Sequence, residues 1–160
     1  MKDASKSGIG FGLTSGIITT LGMLVGMYAS TQSKVAVIGG VLVVAVSDAF
    51  SDSLGMHVAT ESQNRHSGRG IWAATFYTFI SKLVIAGSFA FPLYFWEERV
   101  AVPVSAGWGF FLLSVFSFFI ARERNDPPWR TIAEHDGIAI CVVAITYFLG
   151  IGIRNVLGVP

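Results

Sequence analysis

The chain has 160 residues, of which 52% are hydrophobic and only 13% charged, with a formal net charge of +1. A soluble domain carries about 25% charged residues, so this composition excludes an ordinary soluble enzyme and, with no basic patch, gives no footing for nucleic acid as a partner. The single cysteine, Cys141, excludes an internal disulfide, and its apolar surroundings predict a small buried hydrophobe.

Apolar runs of membrane length recur from end to end, since about 20 apolar residues cross a bilayer. They predict one all-α, integral membrane domain over residues 1–160, a five-helix bundle with spans near 9–29, 35–59, 71–96, 104–121 and 137–153. Lys2 and Lys6 precede the first run, and Met27-Tyr28-Ala29 faintly resembles a leader cleavage site. That run exceeds the 7–15 residues of a signal-peptide core, and four more spans follow, so it reads as a retained helix. Gly8, Gly12 and Gly16 repeat at four-residue spacing, as do Gly22 and Gly26. Small residues so spaced let a second helix approach closely, either within one subunit or across a dimer seam. Ser15, Thr19, Thr20, Met23 and Met27 give the same span a partly polar, thioether character.

The second span holds Asp48 and Asp52, with Ser51, Gly55 and Met56 near the same stripe. Residues four apart share a helix face. An ionised carboxylate in hydrocarbon costs on the order of 3 kcal/mol on insertion scales, so that face must meet protein, water or a cation. A polar loop follows with Glu61, Arg65, His66 and Arg69; His57 just before it reaches for headgroups, and Glu61 with His66 could form an entrance site. The third span contains Lys82, carries Pro92 near its end and closes on Glu97-Glu98-Arg99; the fourth ends in Arg122-Glu123-Arg124. Residues 125–136, broken by Pro127-Pro128, read as the longest polar segment, with His135 and Asp136 capping the fifth span.

Lys and Arg bias sets orientation. Lys2, Lys6, Arg65, Arg69, Arg122, Arg124 and Arg130 fall on one side, against Lys34, Arg99 and Arg154 on the other. This predicts a cytoplasmic N-terminus and an external C-terminus. With little tilt, Asp52 lies about 10 Å and Asp48 about 16 Å inside the cytoplasmic boundary, which levels Ser15 with Asp52 and Lys82 with Asp48.

Intramembrane acids mark ion or proton pathways by default. Carboxylates supply hard oxygen ligands and thioether sulfur suits softer metals, so Asp48, Asp52 and Met56, with Met23 from span one, predict a site for Fe²⁺ or Mn²⁺ rather than Mg²⁺. Ser15, Thr19, Lys82 and Glu61 would line the path or couple to it, and paired acids invite proton exchange. The competing expectation is structural: Lys82 neutralises Asp48, Asp52 bonds to Ser15 or Thr19, and the chain is a non-transporting assembly protein. Lys82 beside two acids could also hold a zwitterion or relay protons alone. No nucleophile–base pair, phosphate loop or metalloprotease pattern is present, so no enzyme and no resident cofactor are expected.

Ser15-Gly16-Ile17-Ile18-Thr19-Thr20-Leu21-Gly22, followed by Ser47-Asp48-Ala49-Phe50-Ser51-Asp52-Ser53-Leu54-Gly55-Met56, resembles the vacuolar iron transporter family, whose members carry iron and manganese in vacuoles and prokaryotes. The likeness continues more weakly through Ser81-Lys82, Pro92, residues 117–122 and Thr146-Tyr147-Phe148-Leu149-Gly150. It implies a five-helix subunit, a homodimer, and a cation path between subunits driven by proton exchange. Two positions depart from the family's pattern: Ser15 stands where an aspartate is usual, and Asp52 and Met56 stand where a methionine and a glutamate are usual. The cytoplasmic metal-binding domain of larger members is replaced by a loop of about ten residues, an ordinary length. The expectation is a proton-coupled exporter of Fe²⁺ or Mn²⁺ in a prokaryotic cell membrane, homodimeric and embedded in the lipid bilayer.

Overall fold

Long apolar runs satisfy their backbone groups internally only as helices when water is absent. The computed structural model describes residues 2–64 and 67–158, and among these it is helical with no strand. In chain order the helices are α1 (Lys2–Thr31), α2 (Lys34–Ser62), α3 (Gly68–Ser88), α4 (Ala90–Phe95), α5 (Glu98–Arg124) and α6 (Pro128–Leu157). Five units are long and apolar enough to cross a membrane, the third being α3 and α4 together.

Local chemistry sets the helix ends. Ser33 and Ser67 cap α2 and α3, their hydroxyls accepting from the amides of Ala36 and Gly70. Asn125 ends α5 in the left-handed conformation, φ 58°. Lys34 donates to the carbonyl of Trp96 at 2.7 Å, tying the start of α2 to the residue that ends α4. Two expectations need correction. Residues 128–136 are not a polar connector: Pro128 opens α6, because a missing N–H costs nothing in the first turn. His135 and Asp136 therefore lie two turns inside α6 and cap nothing. The third span is also not continuous. Pro92 offers no N–H to the carbonyl of Ser88, and the helix breaks at Phe89, whose carbonyl accepts from Ser105 at 3.3 Å. Arg65 and His66, half of the expected entrance loop, lie outside the described residues.

The bundle is arranged around α1, which packs against α2, α3, α5 and α6. Its glycines make this possible. The backbone of Ala74 in α3 lies against Gly8, the backbone of Thr78 against Gly12, and the side chains of Ile85 and Lys82 against Gly16. Farther along, Val142 and Thr146 of α6 lie against Gly22 and Gly26. Both repeats thus serve seams within the subunit. The aliphatic core, including Leu21, Leu24, Val37, Val41, Phe89, Leu93 and Leu113, gathers toward the end where α1 turns into α2. Outside it, large apolar side chains such as Val43, Phe50, Leu54, Phe76, Phe119 and Phe148 face away from the protein, a surface compatible with lipid. Cys141 faces outward as well, contrary to the expected burial, because α6 is marginal, with only 11% of its apolar window buried.

The α1–α3 seam yields a contrast between two substitutions. A Cβ at Gly8 would meet the backbone of Ala74, whereas nothing lies within 4 Å of one at Gly39. Gly8→Ala should cost about 1–3 kcal/mol as overpacking, while Gly39→Ala should be neutral or gain up to about 1 kcal/mol in helix propensity. Thermal unfolding in detergent, followed by circular dichroism, checks the opposite signs.

Candidate functional site

Asp48 lies midway along α2, Ser15 near the middle of α1 and Lys82 near the middle of the third unit. Helix mid-height is where a bilayer makes charge most expensive. The helices run past the expected span ends, and Asp48 lies about 21 Å and Asp52 about 15 Å from the C-terminal end of α2.

Lys82 organises the cluster. Only 1% of its side chain is exposed, and its ammonium pairs with both acids: Asp48 Oδ2 at 2.6 Å, and Asp52 Oδ2 in a shorter contact. Nζ also donates to Ser15 Oγ at 2.8 Å, and that hydroxyl donates to Asp52 Oδ2 at 2.6 Å. Asp52, Ser15 and Lys82 thus close a three-membered hydrogen-bonded ring drawn from three helices. Asp48 is held differently: its Oδ2 is buried and has no aligned hydrogen bond, so attraction to the ammonium alone serves it. With both acids ionised and Lys82 protonated, the cluster carries one net negative charge. The carboxylates are not sealed, since their side chains remain 26% and 20% exposed.

The other expected residues distribute unevenly. Met56 is half-buried, one turn past Asp52 on the same face. Met23 is not beside the acids: a Cβ at Gly40 would lie 3.1 Å from Met23 Sδ and 2.8 Å from Met27 Sδ. Gly40 is eight residues, about 12 Å, from Asp48. The cause is direction, because α1 and α2 run antiparallel, so each step from Ser15 toward Met23 climbs away from the acids. Thr19 is half-buried one turn above Ser15, and its hydroxyl is not among the partners of either carboxylate. Glu61 is exposed near the end of α2, remote from the cluster. On α2 the half-buried positions Gly40, Val44, Asp48, Asp52 and Met56 recur every four residues and form one column, with thioethers near both ends. Ser51 belongs instead to an apolar groove of about 730 Å³ between α2 and α3, walled by Phe50, Leu54, Trp72, Phe76 and Phe79; no carboxylate lines it. His57 sits in that groove, with Nδ1 2.9 Å from Thr75 Oγ1 and its ring edge-on to Trp72.

Among the described residues no group of three His, Cys, Asp or Glu side chains could hold a metal ion. The donors that a cation would find are the two carboxylates, the Ser15 hydroxyl and, one turn away, the Met56 thioether. A second polar cluster, Ser114 and Ser117 against Asp136 and His135, went unread in the sequence. The double proline as a helix start was the signal that could have revealed it. No protein-family model matches the chain, nor does any curated protein or solved structure.

The ring makes an ordered stability prediction. Lys82→Met strands two partly buried carboxylates, and breaking a buried pair on one side costs about 3–5 kcal/mol. Asp52→Asn leaves the Lys82–Asp48 pair intact and should cost much less. Adding Asp48→Asn and Asp52→Asn to Lys82→Met should recover most of the loss. Unfolding midpoints of the four proteins in one detergent check the order.

Proposed function

We propose that the chain is a multi-pass membrane transporter of divalent transition metal, Fe²⁺ or Mn²⁺, in which the Asp48–Lys82–Asp52 cluster is the cargo and coupling site. The observation that carries this reading is a pair of carboxylates at helix mid-height that remain one fifth to one quarter exposed. A purely structural pair gains nothing from an open face, whereas a transport site needs one. Two carboxylates and a hydroxyl form a hard-oxygen set, and Met56 adds the soft donor that favours a transition metal over Mg²⁺. A second copy of the chain laid against the half-buried column would close the open side, so the working unit is read as a homodimer. The Lys and Arg bias favours an N-terminus in the cytoplasm; the reading sets the protein in the cell membrane of a prokaryote, with export exchanging cargo against protons.

Lys82 defines the energetics of such a cycle. The cluster with one net negative charge accommodates a divalent ion poorly while the ammonium stays between the acids. Cargo entry therefore displaces Lys82, which has a flexible four-carbon stem to move on. The tethered ammonium then neutralises the emptied site, so the return step does not expose two bare carboxylates to hydrocarbon. The second reading, a non-transporting assembly protein, is favoured by the burial of the Lys82 side chain, whose ammonium already has three polar partners.

Flux separates the two. In proteoliposomes with an imposed pH gradient, Fe²⁺ or Mn²⁺ should move and Mg²⁺ should not, and Asp52→Asn should reduce the flux at least tenfold while the protein stays folded. Folded protein that moves none of these ions would establish the assembly reading instead.

A further inference from the structure

The seam between α5 and α6 holds a second set of ionisable groups, on helices that contribute nothing to the Lys82 cluster. Ser114 donates to Asp136 Oδ2 at 2.7 Å, and Ser117 Oγ lies 2.7 Å from His135 Nδ1. Ser117 is wholly buried. Asp136 Oδ1 is also buried, and it has no hydrogen-bond partner. No ion pair to Asp136 exists among the described residues.

The facing stretches of the neighbouring helices carry no titratable side chain of their own. From α5, no titratable side chain occurs between Arg99 and Arg122; Arg122, Glu123 and Arg124 stand exposed at its end. From α1, which also packs on α6, none occurs between Lys6 and Tyr28. On α6 itself Arg130 and Glu134 are exposed toward the helix start, and Cys141 and Tyr147 are exposed farther along.

The donor count decides what this site holds. Ca²⁺ takes six to eight oxygens and Mg²⁺ demands a near-ideal octahedron. Here two helices, whose carbonyls are engaged along their own axes, present one carboxylate, two hydroxyls and one imidazole. A proton needs only one atom to sit on and one acceptor. Serine suits that role because its hydroxyl both donates and accepts. Ser117 donates to a neutral Nδ1 or accepts from the Nδ1–H of imidazolium without moving. Ser114 holds Oδ2 in either state, which leaves the unpartnered Oδ1 as the place for a proton. We propose that His135 and Asp136, held by Ser117 and Ser114, form a site for exchangeable protons in the α5–α6 seam, separate from the Asp48–Lys82–Asp52 cluster. This inference makes no use of the cargo and stands or falls apart from the transport reading.

Two measurements on protein in lipid bilayers test it. Infrared difference spectra between alkaline and acidic pH should contain a carboxylic-acid carbonyl band that disappears in Asp136→Asn, or the histidine should titrate in its place. For the histidine, His57→Gln combined with His66→Gln leaves His135 as the remaining imidazole and the seam untouched, so nitrogen NMR of labelled histidine reports it even if Asp136→Asn fails to fold. Ser117→Ala, which removes the hydroxyl facing Nδ1, should change the nitrogen signature of His135 and leave the Asp136 carboxyl band in place. A His135 signal in one protonation state at every pH where the helices persist, together with no carboxyl band sensitive to Asp136→Asn, overturns the proposal. A buried water at Oδ1 with both groups silent gives that result.

Discussion

The packing of α1, α2 and α3 is constrained by one ammonium group placed where a bilayer would least tolerate a charge. Lys82 is buried at helix mid-height and answers two carboxylates and a hydroxyl from two other helices. Taken singly, each group would be expensive to hold there. Together they form a unit whose members cannot be removed one at a time, because the remainder is left uncompensated. The cluster therefore fixes the relative height of α1, α2 and α3 as firmly as any hydrophobic contact, and it sets two carboxylates against one ammonium on a face that is not closed.

The glycine seam is what lets the ammonium reach. Gly16 sits against the stem of Lys82, whose Cγ would be 3.2 Å from an added Cβ. Ser15 next to it supplies the hydroxyl that joins Lys82 to Asp52. A larger side chain at position 16 would push α3 outward and open the ring. The same repeat read as a candidate dimer seam is thus tied to the polar chemistry through α3 of the same subunit. The hydrophobic core, which begins at Ile17 and runs toward the C-terminal end of α1, holds the bundle without burying the carboxylates.

The number and order of the spans were legible because a bilayer's thickness imposes a length on apolar runs. The helix ends were not. At Pro127-Pro128 the sequence offers a breaker and a starter in the same two residues, and the polar turns after it resemble a loop to any reading by hydropathy. That misreading hid the α5–α6 seam, since His135 and Asp136 taken as caps have no reason to face Ser117 and Ser114. The break at Phe89 was half visible through Pro92, but its repair by Ser105 depends on α5 packing there. In the cluster, the four-residue spacing of Asp48 and Asp52 and the depths of Ser15 and Lys82 were readable from rise per residue. That Lys82 bridges both acids was not, because a one-dimensional depth carries no information about rotation around the helix axis. Met23 shows the converse: a suitable donor by chemistry, carried by an antiparallel helix to the level of Gly40.

Direct binding tests the central claim, that this cluster receives a cation, most plainly. Mn²⁺ titrated into the purified, folded protein can be followed by its electron paramagnetic resonance signal, which falls as the free ion is captured. The account predicts saturable capture that is lost in Asp48→Asn/Asp52→Asn and tightened in Lys82→Gln, where the competing ammonium is gone. Capture that is equal in all three proteins, or absent from the two that retain both acids, would contradict it and leave Lys82 as a structural tie.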